Sequence, residues 1–154
     1  VTTDVDTADP PALEQVYREQ RIALTRLGYL LTGSRDLAED IVQAAFASAA
    51  PRWDSIDRPL PYLRRAVVNM ARDAYRRRAR ERGSPAPEPV THLPEVDEAW
   101  AHIRRLPDRQ RAVVVLRYYE DLPLTEIAAL LSRPAATVRS DLSRALKTLK
   151  KALT

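Results

Sequence analysis

Apolar residues recur along this chain in steps of three and four, the repeat of one buried helix face, and nowhere in convincing alternation. Leu13, Val16, Tyr17, Leu24, Leu27 and Leu31 keep that spacing, and Thr32-Gly33-Ser34 stops the helix with a residue able to take positive φ. Ser34 or Arg35 opens a second helix through Leu37, Ile41, Ala45 and Ala49, ended by Pro51. Arg52 to Pro59 reads as a loop from its aspartates, serine and proline. A third helix turns Leu60, Leu63, Val67, Met70 and Ala74 inward and leaves Arg64, Arg65, Asn69, Arg72 and Arg76 on other faces. Later, Val96, Trp100 and Ile103 mark one helix and Asp108 to Tyr119 another. Leu124, Ile127, Ala128 and Leu131 then form the stripe of a short helix, and Val138, Leu142, Ala145, Leu146 and Leu149 that of a longer one. Between them stands Ser132-Arg133-Pro134, where proline cannot continue the first helix but suits the first turn of the next. The pattern predicts an all-α chain.

Two interruptions divide it. Residues 1–12 carry three aspartates, two prolines and little that could be buried, and read as a disordered lead-in. Residues 83–94 hold four prolines in twelve positions, a linker stiffened towards polyproline II. Extended at about 3.3 Å per residue it reaches roughly 40 Å, slightly more than one DNA turn of about 34–36 Å. The chain therefore divides into a helical domain at 13–82 and a second at 95–154.

Composition removes several function classes. With no cysteine, the chain has no disulfide, no thiol nucleophile and no cysteine-ligated zinc. Two histidines, His92 and His102, offer metal or acid-base chemistry little, and three glycines make no phosphate-cradling loop. No catalytic residue, metal or cofactor is expected, so the chain is not read as an enzyme. The N-terminus is acidic and polar and no apolar run reaches about 18 residues, so neither a signal peptide nor membrane insertion is expected and a cytoplasmic location is.

Charge changes the picture more. The net charge is only +4, but eight arginines crowd positions 64–82 against two acids, and six basic residues crowd 133–151 against one. Two basic segments on a nearly neutral chain point to a polyanion touched at two places. The second coincides with the paired helices at 124–149, which read as a helix-turn-helix whose second helix enters the DNA major groove. Its outward residues Thr137, Arg139, Ser140, Ser143, Arg144 and Lys147 suit phosphates and base edges. The same pattern also describes an ordinary solvated helix pair.

Four ordered segments carry a family resemblance: Leu37-Ala-Glu-Asp-Ile-Val-Gln-Ala-Ala-Phe46; Tyr62-Leu63 with Asn69 and Arg76-Arg77; Leu106-Pro-Asp-Arg-Gln-Arg through Leu122; and Thr137-Val-Arg-Ser140. Over about residues 13–151 the chain resembles the extracytoplasmic-function (group IV) sigma factors of bacterial RNA polymerase, in the sigma-70 family, and its arginine- and alanine-rich composition resembles actinobacterial members. The resemblance implies a region 2-like domain at 13–82 and a region 4-like domain at 95–154. It implies that Glu39, Asp40, Ile41, Val42, Gln43 and Phe46 meet core RNA polymerase. Trp53, Asp54, Ser55, Tyr62, Asn69, Arg72, Arg76 and Arg77 correspond to residues that hold the promoter −10 element as a single strand. Arg133, Thr137, Arg139, Ser140, Ser143, Arg144 and Lys147 correspond to those that meet the −35 duplex. Promoter DNA, core polymerase and an anti-sigma protein are the implied partners.

Three positions depart from the family pattern: Ala44 replaces a common glutamate, Ala136 a common glycine, and Asp141 a frequent basic residue. An acid facing phosphate repels it, so Asp141 reads a cytosine amine, pairs with Arg144 or Arg139, or weakens −35 affinity. The competing reading is an autonomous homodimeric helix-turn-helix regulator, which would occupy a pseudo-palindromic site instead of an asymmetric two-element one.

Overall fold

A computed structural model describes residues 11–82 and 99–153, and every regular element among them is helical. The expected linker and nearly all of the lead-in, with Val96 and His92, lie outside the described residues.

Helix α1 (Leu13–Thr32) ends where Gly33 takes φ 76° and donates its N–H to the Tyr29 carbonyl at 2.7 Å. That left-handed residue closes the helix and frees the chain to reverse. Ser34 then caps α2 (Arg35–Ala49), its side chain accepting from the Leu37 N–H at 3.2 Å. The two helices approach closely through Gly28, where an added Cβ would sit 3.1 Å from that of Ala38. The stretch expected as loop begins instead as a 3-10 turn over Ala50–Ser55. Pro51 lies in its first turn, where a missing N–H costs nothing, so it does not end the winding. Helix α3 (Pro59–Arg82) lays Leu63, Val67, Val68 and Ala71 fully buried against α1 and α2.

The second unit holds α4 (Trp100–Ile103), α5 (Asp108–Val114), α6 (Leu124–Leu131) and α7 (Ala135–Leu153). After α5 the chain widens into one π-type turn over Val115–Tyr119. Asp121 and Ser132 take φ 54° and 52°, each reversing the chain next to a helix end. The two units share one continuous apolar core. Tyr29 of α1 meets Trp100 of α4 with ring centroids 5.8 Å apart, and α1 and α3 also pack on α5 and α6. No described helix is long and apolar enough to cross a membrane.

Candidate nucleic-acid interface

The turn between α6 and α7 forms as the proline pattern predicts. Ser132 adopts the left-handed conformation, the Arg133 N–H returns to the Ala128 carbonyl at 3.0 Å, and Pro134 precedes the first residue of α7. Ile127, Ala128 and Leu131 of α6 and Val138, Ala145 and Leu149 of α7 are buried. That burial turns Arg139, Ser140, Ser143, Arg144 and Lys147 outward and exposed, with Thr137 half-buried beside them. These residues lie on one side of α7, as a groove-reading helix requires.

Arg133 departs from the expected set. It points inward, its Nη1 3.1 Å from Oδ2 of Asp141, with the two side chains only 10% and 6% exposed. Asp141 is therefore turned inside, away from the outward face of α7, and its partner is neither Arg139 nor Arg144.

The residues expected to hold a single strand are divided by the fold. Asp54, Ser55, Asn69, Arg76 and Arg77 are exposed. Trp53 packs on the core and its indole N–H donates to the Pro11 carbonyl at 3.0 Å, while Tyr62 is also partly buried there. Neither ring stands free as a stacking platform in this arrangement. Arg72 is 8% exposed, and burial, followed by the neighbouring charges of Arg133 and Arg76, holds its pKa below the ordinary arginine value. Arg76 Nε lies 3.7 Å from Oδ2 of Asp108 at the start of α5. Asp73, Tyr75, Arg76, Arg77, Arg80 and Asp108 line an open cleft of about 610 Å³ beside this pair.

The expected polymerase surface narrows for the same reason. Ile41, Val42 and Phe46 are buried on the inner face of α2, Phe46 edge-on to Tyr17 at 5.0 Å. An amphipathic helix turns one face to solvent and the opposite one to the core, so five consecutive residues and Phe46 cannot all be presented. Glu39, Asp40 and Gln43 remain exposed, with Gln43 donating to the Tyr17 hydroxyl at 2.8 Å.

Sequence reasoning missed the charged groups that join the units. Arg111 of α5 is 4% exposed and stacks over the Tyr75 ring at 4.1 Å. It donates to the Leu31 carbonyl at 3.1 Å, the Leu106 carbonyl at 3.3 Å and the Arg104 carbonyl at 3.4 Å. Leu31 lies in the last turn of α1, where carbonyls lack helical partners. Arg64 of α3 forms a second link, its Nε 3.6 Å from Oε2 of Glu120. Burial raises the Glu120 pKa, and Asp121 adds to the rise, while Arg64 and Arg26 oppose it. The one usable signal was that Arg111 borders the apolar run Ala112–Leu116, too continuous for a surface helix.

Comparison with known proteins matches residues 16–81 to the model described as Sigma-70 region 2 and residues 97–149 to that described as Sigma-70, region 4. The RNA polymerase sigma-E factor of Streptomyces coelicolor is 33% identical over 150 residues, spanning 91% of this chain and 85% of that protein. The crystal structure of the extracytoplasmic function sigma factor SigJ of Mycobacterium tuberculosis aligns with a TM-score of 0.63 at 32% identity, over 86% of this chain and 51% of that one. The sigma factor RpoE of Bartonella quintana, crystallised with the anti-sigma factor NepR, shares the fold. Its TM-score is 0.75 at 22% identity, over 91% of this chain and 95% of that one.

Proposed function

The chain belongs to the extracytoplasmic-function sigma factors of the sigma-70 family, promoter-specificity subunits of RNA polymerase, and on that premise we propose how its residues divide the work. Residues 95–154 anchor on −35 duplex through the outward face of α7. Residues 13–82 dock on core polymerase through Glu39, Asp40 and Gln43 and hold strand-separated −10 DNA through Asn69, Arg72, Arg76 and Arg77. The observation that carries this reading is the outer face of α7. Its exposed charges Arg139, Arg144 and Lys147 are all cationic, and its one acid is turned inside. Cations with short hydroxyl side chains between them suit phosphates and base edges together.

Arg72 and Arg76 support the second half conditionally. Arg76 pairs with Asp108 of α5 and Arg72 is buried beside Arg133 and Asp108, so −10 DNA must compete with Asp108 for Arg76 and the units must part for Arg72 to reach a phosphate. Polymerase binding, which spreads a sigma factor over two separated promoter elements, supplies that opening. The chain takes no part in bond making; the polymerase holds the active site, and the place of action is the cytoplasm. An anti-sigma protein fits as a further partner, since a relative of the same fold was crystallised with one.

The test is fluorescence anisotropy of the reconstituted holoenzyme on two probes, −35 duplex and −10 non-template single strand. Arg139→Ala and Arg144→Ala weaken the first probe, and Asn69→Ala with Arg77→Ala weakens the second. If each pair affects both probes equally, the division of labour is wrong.

A further inference from the structure

The buried stripe of α7 runs Val138, Asp141, Ala145, Leu149, placing a carboxylate in the middle of an apolar seam. Such a group is costly without a partner. Here the partner is Arg133, eight residues earlier in the turn, at 3.1 Å. The turn is thereby tied on both sides: the Arg133 N–H holds the α6 carbonyl of Ala128 at 3.0 Å, and the Arg133 guanidinium holds the second turn of α7. The other buried residues of the two helices, Ile127, Ala128 and Leu131 of α6 and Val138, Ala145 and Leu149 of α7, are apolar, and such packing is non-directional and tolerates small slides and rotations. A buried ion pair adds little net stability, because desolvation offsets attraction, and its best-attested use is to set register. Bidentate base contacts in the major groove are lost when the reading helix shifts by about 1 Å.

We infer that Asp141 is a positioning residue for promoter discrimination: by seating Arg133 it fixes the angle of α7 against α6, and it does not itself touch DNA. The inference rests on the reading of α7 as the −35 helix. It accounts for an acid in a helix that must approach phosphate, because the acid is spent inside the motif.

The experiment uses full-length chain reconstituted with core polymerase and selects from duplex promoters randomised across the −35 element. Four proteins are compared: wild type, Asp141→Asn, the exchanged pair Arg133→Asp with Asp141→Arg, and the apolar pair Arg133→Met with Asp141→Leu. Melting temperature and the salt dependence of affinity are recorded for each. Wild type enriches one element. Asp141→Asn loses discrimination about tenfold, the loss of one bidentate contact, spread over the element. Its salt slope stays unchanged because the phosphate contacts persist. The exchanged pair recovers discrimination, whereas the apolar pair recovers melting temperature alone. Three results overturn the inference: a changed preference at a single base position, which makes Asp141 a base reader; undiminished discrimination with only a lower melting temperature; or a folded exchanged pair that recovers nothing. Failure of wild type to enrich any element sinks the reading of α7 itself, a distinguishable result.

Discussion

Replacing Arg111 by methionine tests whether the two units are one cooperative body. The substitution keeps an unbranched stem in a side chain that is 4% exposed and removes the guanidinium that contacts the Leu31, Leu106 and Arg104 carbonyls. Buried acceptors left unpaired cost about 1–3 kcal/mol each. Stacking on Tyr75, at 4.1 Å, contributes about 2 kcal/mol more when desolvated. Against this, methionine avoids the guanidinium desolvation of several kcal/mol, so the net loss is about 3–5 kcal/mol. At about 2–4 °C per kcal/mol for a chain of this size, the melting temperature falls by roughly 10 °C. Leu31 and Tyr75 belong to the first unit, and Arg104 and Leu106 to the second. The variant therefore also melts in two steps where wild type melts in one. Arg111→Lys behaves like the methionine variant, because one ammonium cannot span three carbonyls. Far-UV circular dichroism and tryptophan fluorescence, followed together, read both effects. A single coincident transition within about 1 kcal/mol of wild type would refute the reasoning.

Arg144→Ala is expected to cost about 1–3 kcal/mol on the preferred −35 duplex and to relax preference there; equal losses on scrambled duplex reduce Arg144 to a phosphate contact. Asp40→Arg with Gln43→Ala weakens core association while leaving the thermal transition nearly in place, and unchanged co-elution with core polymerase rejects that surface. Glu120 has a raised pKa from burial, so the folded chain holds its proton more tightly than the unfolded chain does. Its contribution is therefore fully present below the ordinary carboxylate pKa and is lost as pH rises through the raised folded value. Melts of wild type and Glu120→Gln across this range isolate the group: the glutamine variant gains stability relative to wild type as pH rises, and a constant difference contradicts the burial effect.

Local rules made most of the fold legible. Gly33 and Pro134 act through their own backbones and Ser34 through a side chain that reaches three residues on, and the boundaries they set fall within a residue or two of those read from the pattern. The outward face of α7 was legible because a helical repeat places one side once its opposite is apolar. What depended on a partner brought up only by folding was not. Arg133 and Asp141 are ordinary surface residues until the turn folds them together, and the stripe through Val138 and Leu142 passes over Asp141 without a sign that it is buried. Arg72 reads as a surface arginine because nothing local reveals that Arg133 and Asp108 of the second unit lie beside it, and Arg111 shows only its neighbouring apolar run, since Leu31 and Tyr75, which close over it, belong to the first unit. Ile41, Val42 and Phe46 enter the expected docking surface through the family resemblance alone, although their own spacing faces them to the core.

Run-off transcription with purified core polymerase tests the central claim most directly. On an asymmetric promoter carrying a −35 and a −10 element, adding the chain yields one defined transcript, and scrambling either element abolishes it. A chain that does not associate with core polymerase, yields no transcript and instead protects a pseudo-palindromic site as a homodimer would contradict the account.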